Sequence, residues 1–197
     1  MKSFCFALPF FCCCLTVTSQ KLSYKDSLES FQKNYVASHE IVKSNDKRFF
    51  RFFKVDEKYR VVAIFEKIAD TTGLVMKTTG QKKSTYFRYG LLKFTVNKIA
   101  LKLTVYQSEQ LMADAQYKNY LFVPFTDRGS GEKSYAGGRY LDFVLEDIQN
   151  DRLILDFNKA YNPYCAYAAG FNCPVPPAEN DLPIFIDAGE MEFTKTH

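Results

Sequence analysis

The sequence has no tryptophan and only two histidines, His39 and His197. With so few imidazoles, neither a Ser/His/Asp triad nor a histidine-rich metal centre is easily assembled. It also lacks the glycine-rich spacings that cradle phosphates and the G-x-S-x-G turn of a nucleophile elbow, so nucleotide and α/β-hydrolase chemistry have no support. Gly129-Ser130-Gly131 reads as an ordinary loop. Charge of one sign is scarce as well: 26 Lys and Arg stand against 22 Asp and Glu, with no basic stripe. That balance argues against nucleic acid as a partner. No internal repeat or low-complexity tract is visible.

What is present is aromatic and apolar. Of 197 residues, 47% are hydrophobic, and they include 19 Phe and 13 Tyr, enough for one well-filled domain. Met1 to Ser19 has a basic start at Lys2, an apolar run from Phe4 to Val17 and a short polar end, the layout of a secretory signal peptide. The apolar run is too short for a bilayer span. Cys12, Cys13 and Cys14 are preceded by Phe11, Cys12 and Cys13 rather than by a small residue, so a lipid anchor is not expected. The expectation is export to the periplasm or beyond, with residues 20–197 as one mature domain and no stable membrane span. Its cysteines are Cys165 and Cys173.

From Ser23 to about His39, Leu28, Phe31 and Tyr35 recur at helical steps, and Ser23 with Asp26 fits an N-terminal capping box. The pattern then turns to short runs of aromatic and β-branched residues: Phe49 to Lys54, Tyr59 to Ile68, Leu74 to Thr79, Thr85 to Tyr89 and Leu92 to Asn97. Ile99, Leu101, Leu103 and Val105 alternate with Ala100, Lys102, Thr104 and Tyr106, the period of a half-buried strand. Asn97-Lys98 suits a tight hairpin turn. Leu121 to Phe125, Arg139 to Leu145, Arg152 to Phe157 and Pro183 to Ile186 add further strand candidates. The spacing predicts a mainly β (α+β) fold, an antiparallel β-barrel or sandwich with one N-terminal helix and a long C-terminal loop.

The stretch from Phe125 to Glu190 is dense in polar blocks. Gly137-Gly138-Arg139-Tyr140-Leu141-Asp142, Asp156 through Tyr167, Cys173 through Asn180 and Ala188-Gly189-Glu190 together resemble the bacterial family catalogued as domain of unknown function 1684, over nearly the whole mature chain. Lys133 stands where that resemblance leads one to expect an acidic residue, and Met191 where a basic one is usual. The resemblance implies a single fold unit but no activity.

Chemically, Arg139 offers a rigid fork of donors for a carboxylate or phosphate. It either pairs with Asp142, Asp156, Glu179 or Glu190 inside the protein or clamps an anionic ligand. Asn158 and Asn162 are suited to bonding nearby backbone in the loop. Tyr135, Tyr140, Tyr161, Tyr164 and Tyr167 either line a small-molecule cleft or cap the sheet with their hydroxyls in water. Cys165 and Cys173 form a disulfide in an oxidising compartment; the alternatives are a thiolate assisted by Lys159 or His39, or half of a metal site. No cofactor and no metal is expected, His39 reads as a surface or cap residue, and oligomeric state is not legible. Two functions follow. One is a binding protein with a cleft for a small or anionic ligand, built from Arg139, Tyr140, Asp142, Asn158, Tyr161, Asn162, Tyr167, Glu179, Asn180 and Glu190. The other is a hydrolase-like enzyme using Asp/Glu acid-base groups, with or without a cysteine thiolate.

Overall fold

The computed structural model describes residues 22–70 and 72–195. The expected leader, residues 1–19, and His197 lie outside them. Helix α1 spans Tyr24–Ser38 and begins where the Ser23 hydroxyl accepts the amide of Asp26 at 3.2 Å. Leu28 is buried as the periodicity requires, whereas Phe31 is 40% exposed, with Lys159 over its ring.

Eight strands follow: β1 Arg60–Lys67, β2 Gly73–Met76, β3 Ser84–Val96, β4 Ile99–Ser108, β5 Tyr120–Asp127, β6 Arg139–Val144, β7 Arg152–Asp156 and β8 Asp181–Leu182. A single turn of helix, α2 (Glu109–Met112), links β4 to β5. The sheet order is β6-β5-β4-β3-β1-β7, with β2 beside β3 and β8 beside β5. All pairings are antiparallel except that of β5 with β8. The strands curl as a half-barrel whose ends are β6 and β7, leaving a seam between them. Ala63, Leu92, Leu103, Val123, Leu141, Leu153 and Leu155 meet inside the curl as its main core.

The β3–β4 hairpin turns at Asn97 and Lys98, both at positive φ (50° and 67°), the conformation that matches a two-residue turn to strand twist. The runs expected as separate strands, Thr85 to Tyr89 and Leu92 to Asn97, are one strand. A bulge shifts the β4 register between Arg88 and Gly90, which breaks the alternation a sequence reader relies on.

Two expected strands are corrected. Ser44–Phe49 is a short 3-10 helix, and the chain after it is extended with only an isolated bridge from Phe52 to Glu190. Pro183 to Ile186 is not a strand: the pairing falls on Asp181 and Leu182 against Thr126 and Asp127, and Pro183 has no amide to continue it.

The outer face of the sheet is covered near β4 and β5 by the C-terminal loop. Met76, Tyr86, Tyr106, Phe122 and Tyr140 form a second cluster beneath it. A third gathers Val42, Ala166, Tyr167 and Phe193 where the segment after α1 meets that loop.

Candidate functional site

Arg139 begins β6 and is 1% exposed. Its Nη2 donates to Asp127 Oδ2 at 2.5 Å and to the Ile186 carbonyl at 2.9 Å. Its Nη1 donates to the carbonyls of Ala188 and, at 3.3 Å, Glu190. Of the two readings of Arg139 the internal pair holds and the ligand clamp is corrected: the guanidinium is enclosed and pins the C-terminal segment to the sheet. Its carboxylate partner is Asp127, none of the four expected. Gly138 just before it has φ +84°, and a Cβ there would meet the Phe125 carbonyl at 2.6 Å, so this approach requires glycine.

Several other candidates are also bound up in the framework. Asn158 donates to the Asp56 carbonyl at 2.9 Å and accepts its amide at 3.1 Å. Asp156 accepts the Tyr24 hydroxyl at 2.9 Å, fastening α1 to the end of β7. Asn180 bonds both backbone groups of Thr104 and the Pro124 carbonyl, bridging β4 and β5 where their ladder keeps only the Tyr106–Phe122 pair. Glu179 takes a two-point bond from Arg88 at 2.9 and 3.1 Å and one from the Tyr106 hydroxyl. Burial raises its carboxyl, but Arg88 and Tyr106 outweigh that and hold it below the usual range.

The tyrosines do meet. A cleft of about 590 Å³ opens between the end of α1 and the C-terminal loop, lined by Tyr35, His39, Tyr140, Tyr161, Tyr164 and Phe171, with Glu40 and Asn172 also contributing. Neighbouring rings stand mostly edge to face: Tyr140 and Tyr161 are 5.8 Å apart at 90°, and Tyr164 and Phe171 5.3 Å apart at 61°. One wall is fixed by the Cys165–Cys173 disulfide, with Cα atoms 6.3 Å apart. With both sulfurs so joined, the thiolate reading fails. The wall is also tied to the end of β2, since Thr79 donates to the Cys173 carbonyl and Val175 to that of Lys77.

Behind the cleft lies Glu190, 0% exposed. It accepts the Asn162 amide at 2.9 Å, the Tyr167 hydroxyl at 2.8 Å and the Tyr35 hydroxyl at 3.3 Å. At Gly189, φ +78°, an added Cβ would meet the Phe157 and Ala160 carbonyls at 2.6 Å. Burial pushes Glu190 up to about 7, although its donors pull the other way. Tyr35 and Tyr167 are raised, burial first and the Glu190 charge next.

His39 is the C-terminal cap of α1, one of the two readings given it, and is buried at 8% exposure rather than on the surface. Its Nδ1 accepts the Val42 amide at 3.2 Å, and its ring packs against Tyr35, Phe50, Tyr164 and Tyr167. Burial lowers it to about 4, with Lys47 adding to the effect, so the imidazole is neutral near pH 7.

A second recess of about 700 Å³ follows the seam between β6 and β7. It sets Arg60, Arg152 and Lys159 beside Asp142, Asp147 and Asp156. Its lining holds one aromatic ring, Phe143, where the cleft gathers four tyrosines and a phenylalanine, and its mixed charges favour no ligand class. Asp142 joins the two recesses, accepting the Tyr161 hydroxyl at 2.6 Å.

Thus Tyr140 and Tyr161 line the cleft, Asn162, Tyr167 and Glu190 support it from behind, and Asp142 touches it through Tyr161. Arg139, Asn158, Glu179 and Asn180 do not reach it. Sequence reasoning missed Tyr35, His39 and Glu40 as wall residues. The four-residue step from Tyr35 to His39 puts them on one helical face and was the available signal. Among the described residues, no group of three or more His, Cys, Asp or Glu is placed to hold a metal ion, and no helix is long and apolar enough to cross a membrane.

The chain belongs to the family described as Protein of unknown function (DUF1684), whose model matches residues 48–191. Its structure is similar to the solution NMR structure of an uncharacterized protein of Haloarcula marismortui, with 28% identity and a TM-score of 0.65 over 87% of this chain and 97% of that one. No curated protein matches the sequence.

Proposed function

We propose that this is an exported protein, delivered by residues 1–19 with residues 20–197 as its single mature domain, that binds a small molecule in the aromatic cleft between α1 and the disulfide-tied loop. The observation that carries this reading is the cleft itself. An aromatic recess of about 590 Å³ with a few fixed polar groups is the usual build of a small-molecule site. The ligand need not be anionic, because Arg139 is spent elsewhere.

One observation favours an enzyme instead. A carboxyl held near neutrality, as Glu190 is, is suited to proton transfer. Glu190 meets the cleft only through Tyr35, which makes it a positioning and proton-storing group behind a tyrosine. Binding alone accounts for the lining without needing turnover.

The test is native mass spectrometry of the protein recovered, without refolding, from the compartment where its own host accumulates it. The expected species starts after Ser19, is about 2 Da lighter than its reduced form, and keeps a noncovalent adduct that Tyr161→Leu releases. An adduct unaffected by Tyr161→Leu and Tyr164→Leu, or no adduct together with no thermal shift from a metabolite extract, overturns the cleft reading. A chain retaining residues 1–19 overturns export.

A further inference from the structure

Resting on that reading of the cleft, we propose that its ligand is an organic cation, an alkylammonium or quaternary ammonium group held among the tyrosine rings. Three observations point the same way. The lining is aromatic, with Tyr35, Tyr140, Tyr161, Tyr164 and Phe171 contributing rings, and the π faces of such rings attract a desolvated cation.

Charge in the cleft's own lining has one sign. Its lining includes Glu40 and neither lysine nor arginine. Directly behind it, Asp142 receives the Tyr161 hydroxyl at 2.6 Å and Glu190 the Tyr35 hydroxyl at 3.3 Å. A phenol that donates to an ionised carboxylate gains electron density in its ring, so the Asp142 bond strengthens the attraction for a cation, and the Glu190 bond adds to it only where Glu190 has lost its proton, above about pH 7. The nearby base Lys47 donates to the Ala37 carbonyl at 2.5 Å, and Arg60, Arg152 and Lys159 belong to the seam recess.

Most polar groups that would recognise a neutral ligand are already used, the exceptions among the described residues being the Tyr164 hydroxyl at the exposed rim and His39 Nε2. The Asn172 amide bonds Thr78 and Lys82, and the Ser38 hydroxyl donates to Asn34. The Tyr140 hydroxyl donates to Pro174. His39 Nε2 is without a hydrogen-bond partner among the described residues, but its ring is built into the wall against Tyr35 and Tyr164. A sugar or a nucleobase depends on directional hydrogen bonds, whereas an alkylated ammonium needs only rings and negative potential.

The test uses three probes of one shape and different charge: choline, its uncharged carbon isostere dimethylbutanol, and the dimethylbutyrate anion. Each is titrated calorimetrically into the mature protein. Choline is expected to bind at least about tenfold more tightly than the alcohol, the anion least of all. Tyr161→Leu should erase the preference, and Glu40→Gln, at an exposed position, should reduce it severalfold without disturbing the fold. Binding of the alcohol equal to or tighter than choline overturns the cation while leaving the cleft a binding site. Absence of binding by all three, with no adduct retained in the native protein, overturns both. A choline preference unmoved by both variants places the cation elsewhere and overturns the proposal.

Discussion

Two buried carboxylates of this protein are handled in opposite ways. Asp127 is joined to Arg139, and each side chain is 1% exposed. The pair is completed by the Gly129 amide on one side and by backbone carbonyls on the other. Glu190 is just as deeply buried but has hydroxyl and amide donors around it instead of a cation. A charge met by a fixed opposite charge stays put and serves as a rivet. A carboxyl met only by neutral donors keeps its proton up to neutral pH and leaves tyrosines sensitive to its state. The first arrangement belongs to architecture, the second to the back wall of the cleft.

The comparison is broken most forcefully at Arg139. Arg139→Met leaves Asp127 charged and enclosed and deprives the Ile186 and Ala188 carbonyls of a donor, and is expected to cost about 3–5 kcal/mol in urea unfolding. Adding Asp127→Leu should return part of that loss; a double variant no better than the single would mean the carbonyl contacts, not the pair, hold the loop.

Glu190→Gln sharpens the contrast. The native state keeps the Glu190 proton to about pH 7, whereas an ordinary carboxyl gives it up near 4.5. Its contribution to stability is therefore complete below pH 4.5 and is lost as pH rises through 7, by about 3 kcal/mol. The glutamine variant should lack this loss, gaining on the native protein between pH 4.5 and 8 in parallel urea titrations. A constant difference across that range would show that Glu190 titrates normally.

The smallest expected effect is at His39, where the sign reverses. Burial lowers it from 6.5 to about 4, so its contribution is complete above pH 6.5 and lost as pH falls through 4. His39→Phe should flatten that acid limb by about 1–2 kcal/mol. Between pH 4.5 and 6.5 the two groups oppose each other, and only the variants separate them.

Much of the fold was readable because its period was clean. β4 alternates from Ile99 onward, α1 follows Ser23, and the Asn97-Lys98 turn carries its own signal. The long strand β3 was read as two because its bulge puts consecutive residues out of phase, a feature set by the fit of Gly90 against Phe65 and not by local preference. The site was legible in its tyrosines and in Glu190 but not in its wall, since Tyr35 and His39 arrive from the far end of the chain. Arg139 was seen as needing a partner and given the wrong ones. Once β5 and β6 are registered with Phe125 opposite Arg139, Asp127 is its diagonal neighbour, information that belongs to pairing and not to spacing.

The span of the contacts around Glu190 has a consequence for timing. Tyr35 and Glu190 are 155 residues apart, and the carbonyls that receive Arg139 lie 47 to 51 residues downstream of it. During synthesis at roughly 5–20 residues per second, the half-barrel can be laid down well before its central arginine has a lining, and that lining exists only once position 190 has left the ribosome. Until then the C-terminal segment cannot be pinned to the sheet, so closure of the fold waits for the last residues of the chain.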